Sequence, residues 1–133
     1  MLYVDSSALV KLYLAEAQSD DARAVLRAER PWTSAVHALV EVRRALQRAL
    51  AGGRLDRARE QFADDWATMR VLEIDDTVSR TAAEFAEATG AKTLDALHLA
   101  AAQRAGGAAL TFVTFDERQA QAARALGWTV AGV

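Results

Sequence analysis

The chain has 133 residues, a length typical of one folded unit, so we expect residues 1–133 to form a single domain. It is 52% hydrophobic and 26% charged, which is typical of a globular protein and excludes a low-complexity or disordered chain. The absence of cysteine excludes disulfides and thiolate chemistry, and the net charge of -2 excludes a globally basic surface that would attract nucleic acid.

Short apolar runs alternate with helical patterns along the chain. In chain order we predict a strand at 2–4, helices at 6–14 and 19–29, a strand at 31–34, helices at 36–51 and 54–69, a strand at 71–74, helices at 77–89 and 93–105, a strand at 109–114, a helix at 117–126 and a strand at 128–133. The pair Gly52-Gly53 predicts the turn of a helical hairpin, because glycine commonly ends helices.

This alternation of strands and helices predicts an α/β fold. We expect a short central parallel β-sheet of about four or five strands, flanked by helices on both faces. In such sheets, ligands bind at the carboxyl ends of the strands. Functional side chains are therefore expected directly after the predicted strands.

Two acidic residues occupy that position. Asp5 follows the strand LYV, and Asp116 follows LTFVTF. Each also has a local explanation, since Asp5 or Ser6 can cap the next helix and Asp116 has Gln119 at the spacing of a capping box. Taken singly, neither residue requires a functional role.

Two further acids lie within predicted helices. If Thr93 caps the helix at 93–105, Asp95 is its second residue, where the helix dipole favours a negative charge. This does not explain why a carboxylate opens a helix that is rich in Leu and Ala on nearly all sides. Glu41 and Arg44 lie three residues apart on a predicted helix, and this spacing predicts a surface ion pair between them. Glu41 lies opposite the apolar face of its helix, which consists of Val36, Leu39, Val42, Leu46 and Leu50.

Considered together, the acids predict a cation site. Strand ends and helix starts meet at one edge of a parallel sheet, so Asp5, Asp95 and Asp116 should converge. Crowded carboxylates repel one another, and this repulsion raises the pKa of at least one of them. A divalent cation relieves the repulsion. Oxygen ligands favour Mg²⁺ or Mn²⁺. The lack of cysteine and the presence of only two histidines argue against zinc.

Four segments resemble those of the PIN-domain ribonucleases, specifically the VapC-type toxins of bacterial toxin–antitoxin pairs. The segments are YVDSSALVKLYL with Asp5, LVEVRRAL with Glu41, LDALHLAAA with Asp95 and VTFDERQAQAA with Asp116. The resemblance runs over essentially the whole chain, with the four segments in order. The resemblance implies a PIN-like three-layer sandwich and an endoribonuclease that depends on Mg²⁺ or Mn²⁺.

The resemblance also assigns roles to individual residues. It implies that four acids hold the cation and form the catalytic site, supported by two hydroxyl side chains. The acids are Asp5, Glu41, Asp95 and Asp116, and the hydroxyls are Ser6 and Thr114. Glu41 would then face a cleft, and Arg44 and Arg48 on the same helix face become candidates for binding RNA. His98 fits the motif but is implied to be structural, and nothing in the sequence places His37.

The implied partners are an RNA substrate, a cognate antitoxin protein and a second copy of the chain in a homodimer. As a toxin, the chain would inhibit translation and growth. The first residues contain no basic leader, and no apolar run is long enough to span a bilayer, so we expect a cytoplasmic protein without membrane contact.

Three alternative functions have requirements that can be compared with the sequence. A non-catalytic PIN-like module would use the acidic pocket to bind a basic protein partner. A haloacid-dehalogenase-type phosphatase needs a second aspartate where Ser7 stands. A receiver domain needs an acidic pair at the first strand and a lysine after a later strand, where Phe115 and Asp116 stand. The sequence therefore disfavours both of the last two.

Overall fold

The computed structural model describes residues 1–133 and contains one sheet of five parallel strands. They are β1 (Leu2–Val4), β2 (Trp32–Ala35), β3 (Arg70–Leu72), β4 (Thr111–Thr114) and β5 (Thr129–Gly132). Their order across the sheet is β3-β2-β1-β4-β5, so β1 lies in the centre. This position explains why all three residues of β1 are apolar and buried.

Seven helices surround the sheet. They are α1 (Ser6–Tyr13), α2 (Ser19–Arg27), α3 (Ala38–Ala49), α4 (Gly52–Thr68), α5 (Asp76–Thr89), α6 (Thr93–Ala105) and α7 (Glu117–Ala125). The predicted α/β fold and parallel sheet are confirmed, and each predicted element ends within two residues of the observed one. No helix is both long enough and apolar enough to cross a bilayer.

Side chains alternate between the two faces of the sheet and define two main cores. Leu2, Val4 and Val113 pack with residues of α1 to α4 on one face. Tyr3 and Phe112 pack with residues of α6 and α7 on the other face, where their rings stack with centroids 5.3 Å apart. This alternation produces three layers and brings the carboxyl ends of β1 and β4 to one edge.

Two sequence predictions about the α3–α4 hairpin are wrong in detail. The turn is formed by Leu50 and Ala51, both in extended conformation, and Gly52 begins α4 instead of ending α3. Leu50 takes this position because its side chain packs against the first core. Val36, predicted to face the core, precedes α3 and is 41% exposed.

Candidate active site

Asp5 is held in place from three sides. It follows the central strand β1 and caps α1, with Oδ1 accepting from the backbone N–H of Ala8 at 3.2 Å. The Ser7 hydroxyl donates to Oδ1 at 2.6 Å, and the Thr114 hydroxyl donates to Oδ2 at 2.5 Å. The side chain is only 3% exposed, and this burial raises its pKa against the opposing influence of His98 and these hydrogen bonds.

Thr114 links Asp5 to Asp116. While its hydroxyl donates to Asp5, the same oxygen accepts the backbone N–H of Asp116 at 3.1 Å. Asp116 caps α7 through the N–H groups of Arg118 at 2.8 Å and Gln119 at 3.1 Å. Both aspartates therefore cap helices, as the sequence suggested, and both lie at the carboxyl edge of the sheet. The capping box predicted for Asp116 is not completed, because the Gln119 side chain binds the Asp95 carbonyl while the Asp116 N–H donates to Thr114.

Asp95 faces the same edge from α6. Helix α6 begins at Thr93, so Asp95 is its third residue and not its second as predicted. The Gln119 side chain donates to the Asp95 carbonyl at 3.0 Å and thereby ties α6 to α7. Burial raises the pKa of Asp95, and so do the charges of the other acids, first Asp116, then Asp5 and finally Glu41. The charges of the three other predicted acids thus all act on the carboxylate of Asp95.

Glu41 does not form the predicted surface pair with Arg44. Its Oε1 accepts from the Ser6 hydroxyl at 2.6 Å, lies 2.7 Å from Nε2 of His98 and lies 3.5 Å from Nε2 of His37. Burial raises the pKa of Glu41, but the hydrogen bond and charge of His98, helped by Ser6 and His37, hold it below its ordinary value. Glu41 is therefore an ionised carboxylate at neutral pH.

The two histidines are the residues that the sequence did not place in the site. His98 is 1% exposed, and its Nδ1 lies 2.8 Å from the hydroxyl of Tyr3. His37 lies against His98 with ring centroids 4.1 Å apart, and its Nε2–H donates to the Leu94 carbonyl at 3.1 Å. Burial, followed by the charge of His98, lowers the pKa of His37 to about 4. Since 61 residues separate the histidines, no spacing rule could have paired them.

We call the edge of the sheet that carries Asp5, Glu41, Asp95 and Asp116 the acidic edge, and it is open. No three of the four carboxylates have oxygen atoms that all lie within 4.8 Å of one another. A cavity of about 520 Å³ lies beside Asp95 and Asp116 and is also lined by Lys92 and Arg118. On the other side of Asp116, a second cavity of about 420 Å³ reaches Ser6 and Glu41. The site has room for a cation with several waters and for a substrate strand.

The two arginines predicted to bind RNA differ in their surroundings. Arg44 lines a cavity of about 450 Å³ together with Arg43 and Arg59, and the Arg59 Nε is buried without a hydrogen-bond partner. Arg48 is exposed but does not line this cavity. The basic surface beside Glu41 therefore includes residues of α4, which a reading of α3 alone could not show.

The sequence and the fold match a known family. The family model for the PIN domain matches residues 2–125. Ribonuclease VapC46 of Mycobacterium tuberculosis H37Rv is 39% identical over 129 residues, which cover 97% of this chain and 95% of that protein. Ribonuclease VapC35 of the same strain is 37% identical and covers 98% of this chain and 95% of its own length. The chain belongs to the PIN-domain family, and within it to the VapC ribonucleases.

Solved structures support the same fold at lower identity. VapC20 of Mycobacterium tuberculosis, described as a toxin that cleaves the sarcin–ricin loop, aligns with a TM-score of 0.75 at 19% identity over 92% of this chain and 95% of its own. The FitAcB structure from Neisseria gonorrhoeae aligns with a TM-score of 0.77 at 18% identity over 98% and 96%. The expected three-layer PIN-like sandwich is thereby confirmed.

Proposed function

We propose that this chain is a divalent-cation-dependent endoribonuclease that acts as the toxin of a toxin–antitoxin pair. The observation that carries the proposal is the position of four carboxylates at one edge of the sheet. The Thr114 hydroxyl joins Asp5 to Asp116, and two cavities there are lined by Asp95 with Asp116 and by Glu41 with Asp116. Membership of the VapC ribonucleases supports hydrolysis of RNA as the reaction.

The donor set of this edge fits Mg²⁺ or Mn²⁺. Asp5, Glu41, Asp95 and Asp116 offer only oxygen atoms. Burial raises the pKa of Asp5 and Asp95, and at Asp95 the neighbouring carboxylates add to this effect, so a cation would favour their charged forms. When bound, the cation would supply an activated water and neutralise charge on the phosphate. We propose all four acids as the residues that hold it.

The chain's own hydrogen bonds would set the orientation of these acids. Thr114 and Ser7 fix Asp5, while Ser6 and His98 fix Oε1 of Glu41 and leave Oε2 free. We therefore propose Ser6 and Thr114 as positioning residues. The chain has no cysteine, and the Ser6 hydroxyl, although 3.1 Å from Nε2 of His98, donates to Glu41, so we propose water as the attacking group.

The direct test is cleavage of a labelled single-stranded RNA by the purified chain. We expect cleavage with Mg²⁺ or Mn²⁺, loss of cleavage when a chelator is added, and recovery when the cation is returned. Internal cuts would distinguish an endonuclease from an exonuclease. If the folded protein binds a basic partner but cuts no RNA with either cation, the non-catalytic alternative is correct.

We also propose that RNA crosses the basic surface formed by Arg43, Arg44 and Arg59, with Arg48 one turn further along α3 as an outer contact. Replacing Arg44 by alanine is expected to weaken RNA binding and to reduce the slope of log affinity against log salt by about 0.7, the value for one phosphate contact on a single strand. Binding is measured by anisotropy at several salt concentrations.

The control for this measurement is Arg80→Ala. Arg80 is an exposed arginine of α5 that pairs with Asp76 and lies in a different layer from α3. It is expected to leave the slope unchanged. An equal slope for Arg44→Ala and wild type would remove Arg44 from the RNA surface.

Several of the similar solved structures are complexes, among them a toxin–antitoxin complex from Klebsiella pneumoniae, with a TM-score of 0.69 at 18% identity over 90% of this chain and 89% of its own. We propose that this chain likewise has an antitoxin partner and forms a homodimer. Val36, Val40 and Leu94 are 41%, 67% and 48% exposed beside the site and offer apolar surface for such contacts. A toxin that acts on cellular RNA would work in the cytoplasm.

A further inference from the structure

A second group of possible ligands lies next to the acidic edge and shares one residue with it. His37, Glu41 and His98 each offer one ligand atom, and these three atoms lie within 4.8 Å of one another, the only such group of three in the chain. We propose that these three side chains form a separate site for Zn²⁺ or a similar transition-metal ion, and that its occupation withdraws Glu41 from the acidic site.

The distances suit a tetrahedral ion. Bonds of about 2.0–2.1 Å place neighbouring ligand atoms about 3.3 Å apart. Oε1 of Glu41 lies 2.7 Å from Nε2 of His98 and 3.5 Å from Nε2 of His37, on either side of that value. Closing the triangle requires Glu41 Oε1 to move away from His98 Nε2 by about half an ångström, because their 2.7 Å hydrogen bond is shorter than the spacing of two ligands on one ion. Two imidazoles and one carboxylate, with a fourth position open to water, are a ligand set that zinc accepts and Mg²⁺ does not prefer.

His98 has the outer contact that a metal-binding histidine needs. An ion on Nε2 requires the ring proton to be on Nδ1, where the Tyr3 oxygen lies 2.8 Å away and can accept it. The Tyr3 hydroxyl proton can then turn to Ser34, the other polar side chain in contact with it. His98 is buried at 1% exposure, so this contact fixes the direction of Nε2.

His37 supplies the movable ligand. In the metal-free chain its Nε2–H donates to the Leu94 carbonyl, while Nδ1 is buried without a partner. Binding an ion moves the His37 ring proton to Nδ1 and breaks its contact with Leu94. The ion also replaces the hydrogen bond between Nε2 of His98 and Oε1 of Glu41. The side chains of His37 and Glu41 are 13% and 24% exposed, so an ion can reach them from solvent.

The test is a titration of the purified chain with Zn²⁺ in competition with a chromophoric chelator, in the presence of excess Mg²⁺. We expect one Zn²⁺ per chain. His37→Ala and Glu41→Gln should each weaken this binding at least about tenfold. Asp95→Asn should leave it unchanged, because Asp95 belongs only to the acidic edge. Val40→Ala, on the same helix and 67% exposed, is the matched control for His37.

A second measurement connects the site to cleavage and rests on the proposed ribonuclease function. Zn²⁺ should inhibit Mg²⁺-dependent cleavage by the wild type, and His37→Ala should need at least about tenfold more Zn²⁺ for the same inhibition. Inhibition is compared as the fraction of each variant's own activity without Zn²⁺.

The outcomes separate the two proposals. If Zn²⁺ does not bind, or binds equally well to His37→Ala, the site is wrong. If Asp95→Asn loses Zn²⁺ as fully as His37→Ala, the ion occupies the acidic edge and the site is also wrong. If Zn²⁺ binds with the expected pattern but no RNA is cut, the site stands and the proposed function fails.

Discussion

Replacing Asp95 by asparagine is expected to lower the rate of Mg²⁺-dependent RNA cleavage by about 100-fold or more. The loss of a direct ligand should exceed the 10–100-fold effect that is typical for a residue that only supports a ligand. Asp95 is the best acid for this test because its carboxylate forms no hydrogen bond within the chain, whereas Asp5 and Asp116 cap helices. Initial rates on a labelled RNA at saturating Mg²⁺ measure the effect.

The matched control is Asp20→Asn, an aspartate in the first turn of α2 whose side chain is fully exposed. It should cleave at the wild-type rate. We expect Asp5→Asn, Glu41→Gln and Asp116→Asn to be inactive as well. Near-normal cleavage by Asp95→Asn and by one other of these variants, in folded protein, would contradict the assignment of the site.

The second large effect concerns stability without metal, where Asp5 and Asp95 should behave oppositely. Asp5→Ala removes a helix cap and leaves the Ser7 and Thr114 hydroxyls without their acceptor, a loss of about 2 kcal/mol. Its melting temperature in chelator should fall by about 5–10 °C. Asp95→Asn removes repulsion from Asp116, Asp5 and Glu41 without breaking a bond, so it should melt above the wild type.

The gain from Asp95→Asn should depend on pH. The pKa of Asp95 is higher in the folded chain than its ordinary value of 3.8, so the folded state binds the proton more tightly than the unfolded state. The Asp95 charge therefore disfavours folding at neutral pH, and this penalty disappears as the pH falls through the folded pKa. The difference in melting temperature between variant and wild type should shrink towards pH 4. A difference that is absent at pH 7 would contradict repulsion at this edge.

The parts of the fold that depend on local pattern were predictable. LYV and LTFVT combine apolar character with a position before an acid, and both are central strands. The caps Asp5 and Asp116 were also predictable, because the choice of a capping side chain depends on the next three residues only. The exact residues of the α3–α4 turn were not, because Leu50 packs against the first core and Leu50 and Ala51 extend the chain before Gly52, which takes a left-handed conformation at the start of α4.

The position of Glu41 in the site depends on contacts between residues that are distant in sequence. A helical wheel of α3 placed Glu41 on the solvent side, and only the family resemblance moved it into the cleft. Its partners Ser6 and His98 lie 35 and 57 residues away in sequence. His37, Glu41 and His98 likewise come from separate parts of the chain, and only the fold brings their ligand atoms within 4.8 Å of one another. Sequence spacing carries no information about such contacts.

The hydrogen bonds that surround Asp5 have a consequence for the entropy of cation binding. Oδ1 accepts two bonds and Oδ2 accepts one, so the carboxylate is already confined to one rotamer and has one lone pair left on Oδ2. Little side-chain freedom remains to be lost when a cation arrives. The Asp5 side chain is thus preorganised in the metal-free chain. The cost is a buried negative charge, which a bound cation would stabilise. The cation should therefore act as a stabilising ligand of the folded state as well as a cofactor.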